Sequence, residues 1–128
     1  MTERATGTFT TAFEPLPSDD ETIGRLRVRK TIAGDLEGAG VAEMMSVGTA
    51  VEGSAGYVAI DRITGALKGR KGSFVLQHFG LMARGEGTLT VSVVPDSGTD
   101  ELTGLTGTFV IVNDAGEHSY QFDYDLPA

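Results

Sequence analysis

The sequence predicts an all-β domain, a closed antiparallel barrel of about eight strands, and three observations point there. Runs rich in Thr, Val, Ile and Phe alternate with turn residues along the whole chain. No stretch keeps a convincing helical period. Glycine also falls inside the strand-like runs, at Gly38, Gly40, Gly69 and Gly72, where a strongly coiled sheet needs bends or close backbone approach. Strands joined by short turns form either a sandwich or a barrel. Consecutive strands connected up and down favour closure, which removes the edges that a sandwich must protect.

The strands are expected at Gly7–Glu14, Arg25–Ile32, Leu36–Ser46, Gly56–Ile63, Leu67–Phe79, Thr88–Val94, Gly107–Asn113 and Ser119–Tyr124. Turn chemistry separates them at Pro15 to Asp20, Gly34-Asp35, Thr64-Gly65, Pro95 to Gly98 and Asn113 to Gly116. Asp20–Ile23 is the best candidate for a short helical turn.

Alternation assigns faces within each strand. On the last strand Tyr120, Phe122 and Tyr124 share the core or cavity face, opposite Gln121, Asp123 and Asp125. On the sixth, Leu89, Val91 and Val93 oppose Thr88, Thr90 and Ser92. On the second, Leu26 and Val28 point inward, and parity carries Lys30 and Ile32 with them. An inward lysine is costly unless paired, and Glu43 and Asp61 are its candidate partners.

The fifth strand is apolar on both faces. Phe74, Leu76 and His78 share one, and Ser73, Val75, Gln77 and Phe79 the other. The fourth is similar, with Val58 and Ile60 opposing Tyr57, Ala59 and Asp61. One face of each is covered by the barrel interior, and the other calls for cover from outside. A homo-oligomer, most simply a two-fold dimer, is therefore expected.

The 128 residues fit one domain, 1–128. With no cysteine there is no disulfide, thiol nucleophile or thiolate metal site. Two histidines and carboxylates scattered through turns offer no metal site. The glycines Gly65, Gly69 and Gly72 precede a strand rather than a helix, so they are not a dinucleotide loop. No cofactor is implied. A net charge of −8 argues against a nucleic-acid partner. In the one basic cluster, Arg25 to Lys30, the arginines alternate with Leu26 and Val28 at strand spacing and read as a solvated outer face, with a weak docking stripe for an anion as the alternative. No run of about eighteen apolar residues is present. The opening MTERATGTFT lacks a signal-peptide apolar segment, and a cytoplasmic location is expected.

The runs YVAIDRITGALKGRKGSFVLQH and VVPDSGTDELTGLTGTFVI, with the earlier KTIAGDLEGAGVAEM, resemble an uncharacterised bacterial domain family with an allene oxide cyclase-like barrel. They span most of Lys30 to Ile111. The resemblance implies an antiparallel barrel with a central cavity. It brings no established activity and no catalytic residue that can be carried over.

The candidate ligand-binding residues are His78, Asp61, Tyr57, Lys30, Glu43 and Tyr124. His78 is a polar group whose charge changes near neutral pH, set on an apolar strand face; parity places it inside and Gln77 outside. Asp61 shares a face with Tyr57, either as a carboxylate of raised pKa or in a salt bridge to Lys30. Ser73 lacks the G-x-S-x-G setting of a nucleophile. The preferred reading is a barrel that binds a small, mostly apolar molecule. The alternative is an isomerase or cyclase whose cavity shapes a reactive substrate with help from one acid or base. A filled barrel with a purely oligomeric role is the third.

Overall fold

A computed structural model describes residues 2–127 and shows one closed, all-antiparallel barrel, with each strand paired to the next and β8 returning to β1. The strands are β1 (Glu3–Leu16), β2 (Gly24–Gly34), β3 (Leu36–Gly48), β4 (Ala55–Leu67), β5 (Arg70–Ala83), β6 (Glu86–Val93), β7 (Thr106–Asp114) and β8 (Glu117–Asp125). The one helical element among the described residues is a single 3-10 turn, Asp100–Leu102. Around Asp20 the chain makes only a turn, Ile23 N–H donating to the Asp20 carbonyl at 3.1 Å. The expected helical turn there is absent, the seven residues 17–23 between β1 and β2 reversing the chain with a turn alone.

The eight expected strands are present, and most are longer than expected. One expected turn moves. Thr64-Gly65 is interior to β4, where Thr64 pairs with Ala39 and Ser73. The reversal instead falls at Lys68-Gly69, with φ of 47° and 84°. Gly69 is thus a turn residue rather than a strand bend. Arg84-Gly85 and Ala115-Gly116 repeat that pattern, with φ of 51° and 90° and of 51° and 84°. Positive φ at both central positions is the two-residue hairpin turn whose twist matches its flanking strands, and glycine at the second position makes it affordable.

The two ends of the barrel differ. The lower end is where β1 begins and β2 ends. There Ala5, Leu36, Leu67, Phe74, Phe122 and Tyr124 are all at most 2% exposed. The segment 94–105 covers them and adds Leu102 and Leu105, both fully buried. Phe122 stacks on Phe74 and Phe109, with ring centroids 5.8 and 4.4 Å apart. Tyr120 locks this end. Its hydroxyl accepts from the Leu36 N–H at 3.0 Å and faces the carbonyls of Ala33 and Leu36, each at 3.0 Å.

The upper end is open. There β6 and β7 meet only at Val91–Phe109 and Ser92–Thr108, whereas β4 and β5 pair from Ala55–Met82 to Leu67–Arg70. Inward residues at the splayed end are consequently accessible: Leu89 is 42% exposed and Met82 46%.

Candidate functional site

Near the middle of the barrel, three polar side chains from three strands meet inside. Asp61 on β4 is fully buried and His78 on β5 is nearly so. Lys30 on β2 reaches Asp61 Oδ2 with its Nζ at 2.6 Å, and His78 Nε2 lies 3.2 Å from the same oxygen. The path from β2 to β4 crosses β3 at Gly40, which lies opposite both Lys30 and Ile63. A β-carbon there would stand 3.0 Å from Asp61 Oδ1 and 2.9 Å from Ile63 Cδ1. The missing side chain at Gly40 therefore makes the room in which the ion pair forms. Phe9 lies beneath the ammonium, its ring centre 5.3 Å from Nζ.

The electrostatics follow from burial and pairing. Burial alone would raise the Asp61 pKa, but the His78 hydrogen bond and the charge and hydrogen bond of Lys30 outweigh it. The carboxyl is held below its ordinary value, so it is an anion near neutrality. The expectation of a raised pKa is corrected, and the salt bridge to Lys30 is the arrangement found. Asp61 Oδ1 is buried with no hydrogen-bond partner among the described residues. A cavity of about 10 Å³ adjoins the cluster, lined by Phe9, Ile32, Leu76, Phe109, Ile111 and Tyr120. That is the room of one water-sized group. Below the cluster the buried side chains of Leu36, Leu67, Phe74 and Phe122 pack together.

The larger space lies above, at the open end. A cup of about 420 Å³ is lined by Met44, Ser46, Tyr57, Gly80, Met82 and Leu89 among others. Tyr57 packs its ring over Gly80, directly opposite on β5, where any β-carbon would collide with it. Half-buried there, the Tyr57 hydroxyl has its pKa raised by desolvation. The cup stands over the polar cluster in strand register. The next inward residue below Gly80 is His78, and below Tyr57 come Ala59 and then Asp61.

His78, Asp61 and Lys30 are thus brought together, with His78 inside and Gln77 exposed on the outer wall. Tyr57 belongs to the cup rather than to the cluster. Two expectations fail. Glu43 points outward and pairs with Arg25 at 3.4 Å, because Gly40, Ala42 and Met44 take the inner positions of β3. Tyr124 is inward but lies in the sealed lower core, 5.2 Å from the Phe122 ring, far along β8 from the cup. Sequence reasoning missed Phe9, Phe109 and Ile111 as neighbours of the cluster, although alternation along β1 and β7 carries that signal. It also took Gly40 for a bend or a close backbone approach rather than for space beside a charge.

Among the described residues no three His, Asp or Glu side chains gather as a metal would require, and no helix is long and apolar enough to cross a membrane.

Residues 5–124 match the family described as protein of unknown function (DUF3224). A crystal structure of a DUF3224 protein of unknown function from Shewanella oneidensis MR-1 is 43% identical, superposes with a TM-score of 0.93, and is covered, like this chain, over 100% of its length. No curated protein matches.

Proposed function

This chain belongs to the DUF3224 family of proteins of unknown function, and we propose that its barrel binds a small, mostly apolar molecule at the open end. The observation that carries the reading is the cup itself, about 420 Å³ walled by the inward residues Met44, Tyr57, Met82 and Leu89. Its volume is in the range of small-molecule pockets, which are mostly apolar with a few polar groups that orient the ligand. His78, one inward position below Gly80, is that polar group, held by Asp61 and Lys30. The Tyr57–His78 and Val93–Ile111 runs resemble an uncharacterised bacterial family with an allene oxide cyclase-like barrel, and the central cavity that this resemblance implies is in keeping with the reading. The lack of cysteine is in keeping with a cytoplasmic one.

Titration with the neutral apolar dye Nile red tests this. Binding is expected to be lost in Leu89→Asp and kept in Val110→Asp, which alters the exposed outer wall of β7. Equal binding by both variants would overturn the reading.

One observation favours an isomerase or cyclase as the second reading. A buried carboxylate holding an imidazole is the arrangement of a general base, and a proton taken by His78 from one atom of a substrate and returned to another needs no cofactor.

The proposal extends to a second copy of the chain on the outer wall. Met45, Val58 and Phe79 form a row across β3, β4 and β5, and with Ile60 and Leu81 they are each 47–54% exposed. A contiguous apolar patch of this kind suits a two-fold dimer.

A further inference from the structure

We infer that the ligand of this barrel presents a neutral hydrogen-bond donor, a hydroxyl or an N–H, to His78 Nδ1, and that carboxylates are selected against. The inference rests on the binding reading above and assigns the chemistry of the ligand's polar end.

Hydrogen-bond direction is the first support. Asp61 Oδ2 receives Lys30 Nζ at 2.6 Å and faces His78 Nε2 at 3.2 Å. A carboxylate anion only accepts, so Nε2 carries the hydrogen. In the neutral imidazole that tautomer leaves Nδ1 as a bare lone pair. No hydrogen bond from the described residues reaches it. A group that accepts is completed by a ligand that donates.

Charge is the second. Lys30 and Asp61 neutralise each other in direct contact, inside a wall of Phe9, Ile32, Ile63 and Leu76. An anionic ligand would enter beside Asp61 in a medium of low dielectric, with the one nearby ammonium already committed. A cation would meet Lys30. The remaining polar group lining the space, the Tyr120 hydroxyl, is occupied by the backbone of Ala33 and Leu36. A neutral donor meets no opposing charge.

Size is the third. About 10 Å³ admits one polar group and no ring. The cup lies above it in strand register, Gly80 being the next inward residue above His78 on β5. The ligand's apolar body then remains in the cup while its polar tip points down toward His78.

Calorimetric titration with para-pentylphenol, its methyl ether and para-pentylbenzoate tests the inference at about pH 8. The phenol should bind about tenfold tighter than the ether, the worth of one hydrogen bond, and the benzoate weakest. In His78→Phe the phenol and ether should bind alike. Nitrogen NMR of the unaltered protein gives a readout independent of any variant: the Nδ1 resonance should move with the phenol and not with the ether. Equal binding of all three, or tightest binding of the benzoate, overturns the inference and leaves the binding reading standing. Failure of all three to bind overturns both.

Discussion

The lower and upper halves of this barrel are built from the same alternating strands, yet one is a core and the other a site. In the lower half, inward Phe74, Phe122 and Tyr124 are at most 2% exposed, because segment 94–105 lays Leu102 and Leu105 across the opening. In the upper half, inward Leu89 and Met82 are more than 40% exposed, where β6 parts from β7 above Val91 and Phe109. Between them sits the Lys30–Asp61–His78 cluster. The difference teaches that alternation decides only which side of a sheet a residue faces. Whether that side is packed or open is decided by what covers the barrel's end.

Large-to-small substitution breaks the comparison most directly. Phe122→Ala should destabilise the protein by about 3–5 kcal/mol, since its ring touches Phe74, Phe109 and Tyr124. Leu89→Ala, in the cup, should change stability by less than about 1 kcal/mol. Urea unfolding of the two variants checks the contrast, and similar losses would mean that the open end is packed in solution.

The cluster between the halves gives the next effect. Asp61→Leu leaves the buried Lys30 ammonium unpaired and should cost about 3 kcal/mol or more. Adding Lys30→Met to it should recover most of that loss, as measured by thermal unfolding. The pH dependence has a definite sign. Asp61 has a folded-state pKa below its unfolded value, so it stabilises the fold above the ordinary carboxylate range, about pH 4. That contribution disappears as pH falls through the lower, folded value. Asp61→Asn should therefore flatten the acid limb of the stability curve. An unchanged acid limb would contradict the ion pair.

Much of this was legible before any coordinates. The strand parity of His78 and Gln77 followed from one apolar run, and the need of an inward Lys30 for a carboxylate named Asp61. Glu43 could not be excluded in that way, because β3 carries apolar residues on both faces: Val41, Met45 and Val47 lie outward beside it. Tyr124 was misplaced for another reason. Its inward direction was legible, but the cover over its end comes from Leu102 and Leu105, distant in sequence and brought there by an irregular loop. The turn at Lys68-Gly69 was hidden because an apolar strand follows a glycine-rich stretch with several places to reverse. The cup was invisible because it depends on where β6 and β7 stop pairing.

Gly40 offers a smaller, sharper test of the cluster. Gly40→Ala places a methyl group about 3 Å from Asp61 Oδ1 and from Ile63 Cδ1. It should cost about 1–3 kcal/mol, and it should perturb the His78 ring resonances in NMR. Full stability with unchanged His78 signals would show that the space beside Asp61 is not needed.

The smallest effect on stability is expected on the outer wall. Ile60→Arg, at a position 53% exposed, should leave the monomer's stability within about 0.5 kcal/mol while abolishing the proposed dimer. Sedimentation velocity checks it, and an unaltered protein that runs as a monomer at high micromolar concentration would remove the dimer.

The central claim, that the open end holds a ligand and the closed end is core, is tested most directly by amide chemical-shift mapping with para-pentylphenol. The account predicts progressive shifts at Met44, Tyr57, Gly80 and Leu89, continuing to His78, with Leu36, Leu102 and Tyr124 unmoved. Shifts confined to Val58, Ile60 and Phe79 on the outer wall, or equal shifts at Leu102 and Tyr124, would contradict it.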